Sequence, residues 1–297
     1  MKLKTAHDFD QGLLVLFDAY VHGGIDRRAF LDRAAKFAVG GVTAAMLLDQ
    51  LSPKFAEAQV VNSADPRIEP EYIEFDSPDG YGRGRGYFVR PTGSTEPLSG
   101  ILVIHENRGL NPHIEDIARR LALDNFIAFA PDALFPLGGY PGSEDDARVL
   151  FRQLDRTKTQ QDFIAAAAFL RERPECTGRI GAVGFCYGGG MVNFLTTKLG
   201  NDLKAGVAFY GSSPNLEDVP NIRCPIMVQS AENDQRINAS WPDYKEALQA
   251  AGVDYERHLY SGTQHGFNND TTPRYDEAAA KLAWERTIAF FNQHVRA

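Results

Sequence analysis

The feature that most constrains the fold is the pentapeptide at residues 184–188, Gly-Phe-Cys-Tyr-Gly. It follows the apolar run 180–183 and leads into the predicted start of a helix. A strand, a Gly-x-nucleophile-x-Gly turn and a helix in this order form a nucleophile elbow, in which the attacking side chain sits on a sharp, strained turn. Glycines flank the nucleophile because side chains there would collide with the neighbouring strand and helix. The pattern predicts Cys186 as the nucleophile and requires an acid and a histidine further along the chain.

Both partners follow in the required order. Asp234 comes after the predicted strand 226–230, and His265 comes after the predicted strand 255–260. The order nucleophile, acid, histidine is that of the α/β-hydrolases. We expect His265 to take the thiol proton and Asp234 to hold the imidazole in the correct tautomer. Each residue alone has an ordinary explanation as a turn cap, an exposed loop histidine or a small buried thiol. Their joint placement at strand ends favours catalysis.

A second loop, residues 105–109 with the sequence His-Glu-Asn-Arg-Gly, follows the predicted strand 100–105. We expect the backbone N–H groups of Asn107 and Tyr187 to form the oxyanion hole, because these loops face each other in such folds. Glu106 has two interpretations. It is either a base that acts on the thiol, or a carboxylate paired with Arg108 or exposed at the surface.

Short β-like runs alternate with helical patterns over most of the chain. This alternation predicts an α/β fold with a mostly parallel sheet, helices on both faces and functional groups at the carboxyl ends of the strands. An antiparallel pair joined by a glycine-rich turn opens the sheet. The predicted strands are 72–75, 86–89, 100–105, 127–130, 180–183, 205–210, 226–230 and 255–260.

The first 61 residues differ from the rest and predict an N-terminal helical extension, followed by a polar linker at 62–70 and a hydrolase domain at 66–297. One helix ends at Gly23, and Asp26 is the predicted N-cap of a second helix over residues 27–51. The alternative interpretation is a twin-arginine export signal, with the pair at 27–28, an apolar run at 37–48 and an Ala-Glu-Ala cleavage site at 56–58. The two interpretations predict a cytoplasmic or a periplasmic protein.

Composition excludes several classes of protein. The net charge is −8 and no basic stripe is present, which argues against nucleic acid and anionic membranes as partners. No apolar run reaches the roughly eighteen residues of a membrane span. The three cysteines, Cys176, Cys186 and Cys224, are an odd number without a Cys-x-x-Cys pair. A disulfide framework or a structural zinc site is therefore not expected.

The cysteine elbow, the 105–109 loop and the loops of Asp234 and His265 together resemble the dienelactone hydrolase family over about residues 66–297. The resemblance implies that Cys186 attacks an enol-lactone ester carbonyl. It also implies that Glu106 leaves the resting thiol when substrate binds and helps to form the thiolate. No cofactor or metal is expected, and the group His105, Glu106 and His113 is explained without one.

The chain departs from the family pattern in its substrate-binding residues. The family holds a substrate carboxylate with arginines, one of them four residues after the catalytic histidine, where this chain has Asn269. The other lies in a segment that is acidic here, 144–146, with Arg148 nearby. Asparagine cannot supply the charge of an arginine fork, which argues against dienelactone itself as the substrate. The candidate substrate-binding residues are Arg108, Tyr140, Tyr210, Phe267 and Asn269, with Tyr187 adding to an aromatic pocket.

The sequence thus predicts a hydrolase that cleaves a small carboxylic ester or lactone through a thioester on Cys186. One alternative is a catalytically silent hydrolase fold that serves as a binding or oligomerisation module, with a homodimer formed through the N-terminal helices. Another is a thiol-redox protein that cycles through a sulfenic acid, although no resolving cysteine is evident.

Overall fold

The structure is a computed structural model that describes residues 4–296. In these residues eight strands form one sheet in the order β1-β2-β4-β3-β5-β6-β7-β8, where β1–β2 and β2–β4 are antiparallel and the other pairs are parallel. The predicted α/β fold is confirmed. The strands are β1 Ile68–Ser77, β2 Gly82–Pro91, β3 Leu98–Ile104, β4 Ile127–Pro131, β5 Cys176–Phe185, β6 Leu203–Phe209, β7 Ile226–Ala231 and β8 Tyr255–Tyr260.

Every predicted strand is present, but most are longer than the sequence pattern indicated. The first strand begins at Ile68, inside the segment predicted as a polar linker. Residues 68–77 pair with residues 82–91 over ten positions. The β1–β2 hairpin is therefore longer than the two short segments from which it was predicted. β5 likewise begins at Cys176, four residues before its apolar run.

Helices cover both faces of the sheet and enclose two hydrophobic cores. One core packs under α5 and α11, with Ile117 and Phe291 among its fully buried side chains. The other packs under α7, α8 and α10, with Phe163 and Leu195 buried. The helices of this domain are α5 Pro112–Leu123, α6 Glu144–Phe151, α7 Arg156–Glu172, α8 Tyr187–Lys198, α9 Gln235–Asn238, α10 Trp241–Ala250 and α11 Glu277–His294.

The N-terminal extension forms four helices: α1 Gln11–Val21, α2 Arg27–Ala34, α3 Ala44–Leu51 and α4 Phe55–Ala58. Asp26 caps α2 as predicted, because its side chain accepts a hydrogen bond from the Ala29 amide at 2.7 Å. The prediction of one continuous helix over residues 27–51 is wrong. Helix α2 ends at Ala34 and passes into a 3-10 turn, Ala35–Phe37. Gly40 and Gly41 then turn the chain with φ of +63° and +86°, and a new helix begins after the cap residue Thr43.

The extension has a small core of its own and lies against the hydrolase domain. Buried side chains of α1, α2 and α3 form this third core, which includes Phe17, Phe30 and Leu51. The chain then crosses to the domain, where the Lys54 amide donates to the Thr271 carbonyl at 2.8 Å. None of the helices in residues 4–296 is both long and apolar enough to cross a membrane.

Candidate active site

Cys186 lies on a strained turn between β5 and α8. Its φ of 54° and ψ of −111° are unusual for a residue with a side chain, and such strain is held at sites where the surrounding structure enforces it. A Cβ on Gly184 would lie 2.1 Å from the Gly188 carbonyl oxygen, and a Cβ on Gly188 would lie 2.1 Å from the Ile104 carbonyl oxygen. The predicted reason for the two flanking glycines is confirmed, since one faces the helix and the other the neighbouring strand.

The structure brings Asp234 and His265 together beside the elbow. The His265 Nδ1 lies 2.5 Å from the Asp234 Oδ2, and both side chains are buried. Asp234 directly precedes α9, and His265 lies in the loop after β8, so both follow the carboxyl ends of adjacent strands. Since a carboxylate only accepts hydrogen bonds, Nδ1 of His265 carries the proton and Nε2 is directed to the thiol. Cys186, His265 and Asp234 are therefore placed as a nucleophile, base and orienting acid would be.

A second histidine, His22 of the N-terminal extension, also contacts the thiol. Its Nε2 lies 3.3 Å from the Cys186 Sγ and 3.2 Å from the His265 Nε2. His22 ends helix α1, and its Nδ1 lies 2.8 Å from the Asp18 carbonyl oxygen and 3.2 Å from the Asp18 Oδ1. The sequence analysis missed both residues. The one signal in the sequence was the i,i+4 spacing of Asp18 and His22, which does not by itself indicate a site.

The two histidines determine the charge state of the thiol. Burial raises the pKa of Cys186, but the positive charges of His22 and His265 outweigh it and bring this pKa to about 5. Burial lowers the pKa of His22, whereas the thiolate and Asp18 raise it, to about 10. At neutral pH the site therefore holds a thiolate beside the imidazolium of His22. Cys224, which has no such partners, is buried and its pKa is raised to about 12.

We expect the rate of alkylation of Cys186 by iodoacetamide in metal-free buffer to be proportional to the fraction of Cys186 that is a thiolate. The rate constant should be nearly flat from pH 6.5 to 8.5 and fall to half near pH 5, because protonation removes the nucleophile below that pKa. In His22→Gln the midpoint should move upward, since one of the two positive charges is lost. Mass spectrometry of the labelled peptide measures the rate at this thiol alone. An identical midpoint in the variant would contradict the role given to His22.

The N-terminal extension covers the cavity that contains Cys186 and His265. Tyr20, Val21 and His22 line it from above, and Cys186 and His265 lie at its floor. The cavity has a volume of about 40 Å³. That is room for a few water molecules, whereas pockets for small organic ligands usually measure about 300 Å³ or more. An organic substrate therefore requires the end of α1 to move.

Comparison with known proteins agrees with this geometry. The family model for dienelactone hydrolases matches residues 85–295, and a YqhI-like model matches residues 1–36. A provisionally named carboxymethylenebutenolidase of Salmonella typhi is 30% identical over 222 residues, which cover 70% of this chain and 82% of that protein. The chain belongs to the dienelactone hydrolase family. The predicted family and the hydrolase class are thereby confirmed.

Two further similar proteins match different shares of the chain. A provisionally named hydrolase fragment, YghX, of Escherichia coli K12 is 49% identical over 116 residues, which are 39% of this chain and 99% of the fragment. A crystal structure provisionally named as a dienelactone hydrolase, from Klebsiella pneumoniae, superposes with a TM-score of 0.67 and 26% identity. It covers 76% of this chain and all of the other.

Glu106 differs from its expected resting position on the thiol. Its Oε2 accepts a hydrogen bond from the Asn269 Nδ2 at 3.1 Å, and His22 occupies the position beside the Cys186 Sγ. Asn269, at the position where the family resemblance implied a carboxylate-binding arginine, holds the glutamate instead. Both side chains line the cavity, so Glu106 remains within the site.

Arg108, predicted to bind substrate, holds the extension in place. Its Nη2 donates to the Val21 carbonyl at 3.0 Å, and the Asn107 Nδ2 donates to the same oxygen at 3.1 Å. Arg148 donates to the Tyr20 carbonyl at 2.5 Å. The last carbonyls of a helix have no partners inside it and carry partial negative charge, so arginines stabilise the end of α1. These contacts are what place His22 over the thiol.

The three predicted aromatic residues all lie outside the lining of the cavity. Tyr210, just after β6 with φ of +37°, is buried, and its ring centroid lies 4.9 Å from that of His265. Phe267 is fully buried in the core against Tyr260 and does not line the cavity, which corrects its predicted role. Tyr140 also lies outside the cavity lining, where its hydroxyl donates to Glu144 at 3.0 Å, so its predicted role is corrected as well.

Tyr187 and the group His105, Glu106 and His113 are the remaining residues singled out in the sequence. Tyr187 is the first residue of α8, so its N–H has no partner within the helix, and its ring stacks on that of His105. The amides of Tyr187 and Asn107 stay a prediction as the oxyanion hole. The rings of His105 and His113 have partners other than the Glu106 carboxylate, and the His105 Nδ1 lies 2.6 Å from the Glu106 carbonyl oxygen. The His105 Nε2 accepts from the Ala133 amide at 3.1 Å, and the His113 Nδ1 lies 3.2 Å from Asp270.

Proposed function

We propose that this dienelactone hydrolase family member cleaves an uncharged carboxylic ester or lactone through a thioester formed on Cys186. The observation that supports this most is the buried thiol, which lies 3.3 Å from the His22 Nε2 and within 4.8 Å of the nearest nitrogen of His265, the imidazole fixed by Asp234. A thiolate stabilised in this way is ready to attack a carbonyl carbon without first losing a proton.

In the first half of the reaction the Cys186 Sγ attacks the ester carbonyl and a C–S bond forms. The carbonyl oxygen becomes an oxyanion, which the amides of Tyr187 and Asn107 would stabilise. When the tetrahedral intermediate collapses, the C–O bond to the leaving alcohol breaks, and protonated His265 gives its Nε2 proton to that alcohol. For a lactone the alcohol stays attached to the acyl group.

In the second half a water molecule attacks the thioester. Neutral His265 takes a proton from this water, and Asp234 stabilises the imidazolium that forms. The C–S bond then breaks and releases the carboxylic acid, which leaves Cys186 as a thiolate. We propose that His22 takes no part in these proton transfers. It stabilises the Cys186 thiolate in the resting state, since its Nε2 lies 3.3 Å from the Sγ.

The charges around the cavity favour an uncharged substrate. The two guanidinium groups in its lining are each close to a carboxylate: the Arg108 Nε lies 3.6 Å from Glu144, and the Arg274 Nη1 lies 3.7 Å from Asp18. A substrate carboxylate would lie close to the negative charges of Glu144 and Asp18, which already balance these guanidinium groups. Together with Asn269 in place of an arginine, this pairing makes the site a poor match for an acidic lactone.

We therefore expect a neutral lactone or ester to be hydrolysed with a higher kcat/KM than a matched substrate that carries a free carboxylate. The difference should be about 10-fold or more, because an unpaired carboxylate loses its solvation on entering the site. A steady-state comparison of a lactone with its carboxylate-bearing analogue measures this. Asn269→Arg should narrow the difference. A preference of the natural chain for the acidic analogue would contradict the assignment.

The proposed intermediate can be observed directly. Rapid mixing with p-nitrophenyl acetate at mildly acidic pH, still above the Cys186 pKa of about 5, followed by intact-protein mass spectrometry, should show one acetyl group added to the chain and mapped to Cys186. Low pH slows its hydrolysis because protonated His265 cannot take the water proton. Failure to acylate Cys186 with any short ester would favour the alternative, a silent fold that serves as a binding module.

Glu106→Gln should lower kcat by about 10-fold, less than loss of the nucleophile, because the carboxylate lies in the cavity but not on the resting thiol. Stopped-flow release of p-nitrophenol would show whether acylation or deacylation slows. Glu285→Gln, an exposed glutamate on α11, is the matched control. A variant with unchanged rates would assign Glu106 a purely structural role.

The predictions on partners and compartment stay as proposals. We propose a small-molecule ester or lactone as the partner, with no nucleic acid or membrane partner, and a homodimer through the N-terminal helices as a further possibility for size-exclusion measurements to test. We propose a cytoplasmic location, with export to the periplasm through the twin-arginine pathway as the alternative. Mass spectrometry of the native N-terminus distinguishes them, since a chain that begins at residue 1 has not been cleaved.

A further inference from the structure

We propose that Cys186, His22 and His265 form a binding site for a thiophilic divalent cation, best matched by Zn²⁺, which joins the N-terminal extension to the catalytic centre. No metal was expected from the sequence, because it has no Cys-x-x-Cys pair and the group His105, Glu106 and His113 is explained without one. In residues 4–296 the three proposed ligands are the group of side chains whose donor atoms converge, all within 4.8 Å of one another.

The distances between the donor atoms suit tetrahedral zinc. The His22 Nε2 lies 3.3 Å from the Cys186 Sγ and 3.2 Å from the His265 Nε2. With Zn–S of about 2.3 Å and Zn–N of about 2.0–2.1 Å, two ligands of a tetrahedral ion lie about 3.3–3.6 Å apart. These two pairs thus need to move by only a few tenths of an ångström to hold an ion between them, and the third pair, Cys186 with His265, has its donor atoms within 4.8 Å.

Both imidazoles are oriented as zinc ligands usually are. The His265 Nδ1 faces the Asp234 carboxylate at 2.5 Å, and the His22 Nδ1 faces the carbonyl and carboxylate of Asp18. A carboxylate or carbonyl on the far nitrogen fixes the tautomer and raises the basicity of the coordinating nitrogen. A catalytic triad accounts for one such pair, His265 with Asp234. It does not account for the second pair, which a different part of the chain supplies.

The lone pairs of the two Nε2 atoms and of the sulfur would also be stabilised by a positive ion between them. Because both Nδ1 atoms donate to oxygens, both Nε2 atoms of neutral imidazoles would present lone pairs to each other and to the sulfur. Such a cluster is stable with protons or with a metal ion between the donors. When a metal binds, it replaces these protons, which pass to the solvent, so binding is favoured as pH rises.

The donor set selects the class of ion. One thiolate and two imidazoles suit zinc, whereas Mg²⁺ and Ca²⁺ prefer oxygen ligands. The cavity of about 40 Å³ above the ligands leaves room for a water molecule as the fourth ligand. The ion would occupy the lone pairs needed for attack and proton transfer, so it would inhibit the proposed hydrolysis reversibly and hold His22 in place.

Cobalt titration of the full-length, chelator-treated protein tests the site. Co²⁺ should bind one per chain and give a thiolate-to-cobalt charge-transfer band, which Zn²⁺ abolishes by competition. Cys186→Ala should remove the band. His22→Ala should weaken binding by about 100-fold or more, and Asp18→Asn, which keeps all three ligands, by about 10-fold. His7→Ala changes an exposed histidine of the same extension and should leave binding unchanged.

Absence of the band, or a band that persists unchanged in His22→Ala, would overturn the proposal. Circular dichroism on each variant shows whether it is folded, and Asp18→Asn provides the test if His22→Ala is not. The site shares Cys186 and His265 with the proposed function but rests on donor geometry. A chain that binds Co²⁺ and hydrolyses no ester retains the metal site and loses the hydrolase proposal. A chain that hydrolyses esters but gives no cobalt band retains the hydrolase proposal and loses the metal site.

Discussion

Replacing Cys186 with alanine is expected to lower kcat/KM for short-chain p-nitrophenyl esters by about 10⁴-fold or more, because removal of a covalent nucleophile eliminates the acyl-enzyme route. The residual rate would come from the oxyanion hole and from substrate binding alone. Steady-state release of p-nitrophenol measures the loss. The fold should persist, since the substitution removes one sulfur atom from a turn whose shape is set by Gly184 and Gly188.

Cys224→Ala is the matched control for this substitution. Cys224 is also buried, but it precedes β7 at the opposite end of the strands from Cys186. Burial raises its pKa to about 12, so it has no thiolate at neutral pH. This variant should keep full activity while losing some stability from the small cavity that it creates. If Cys186→Ala kept more than about a tenth of the wild-type activity, the thioester route would be excluded.

The second large effect is expected at His265. His265→Gln should lower kcat by about 10³- to 10⁴-fold, because both the proton transfer to the leaving alcohol and the activation of water depend on its Nε2. Asp234→Asn should cost a similar factor, since asparagine would hold the imidazole in the wrong tautomer. Stopped-flow measurement of acylation and deacylation should show both steps slowed.

Comparison with the His22→Gln variant distinguishes the role of His22 from that of His265. We expect that variant to lose much less at pH 8, where the thiolate forms readily without the second positive charge, and more at pH 6. His258→Gln, on the exposed edge strand β8, controls for the general effect of losing an imidazole. Equal losses for His22→Gln and His265→Gln at every pH would contradict the assignment of His265 alone as the general base.

The placement of the candidate site was predictable where local signals determine it. The glycines at 184 and 188 are required by contacts as close as 2.1 Å, and any chain with this turn must show them. Asp234 and His265 were found because each follows a strand, and the carboxyl ends of parallel strands meet at one edge of a sheet. The break between α2 and α3 was missed because the apolar spacing continues across Gly40 and Gly41, which alone mark the turn.

The roles of individual side chains were less predictable. Phe267 and Tyr140 carry the same aromatic character as Tyr210, yet only Tyr210 lies against His265. Arg108 was expected to bind substrate and instead donates to the end of a helix from the extension. Residue type predicts what a side chain can do, whereas its partner depends on which surfaces come together when the domain folds.

The cysteine elbow, the order of nucleophile, acid and histidine, and the alternation of strands and helices were determined by the sequence itself, because short-range sterics and periodicity specify them. Only the tertiary structure decided that His22 lies 3.3 Å from the thiol, since this contact joins residues 164 positions apart. It depends on how the extension docks against Arg108 and Arg148. No local pattern encodes that packing. The second histidine, and with it the proposed cation site, therefore emerged only from the folded chain.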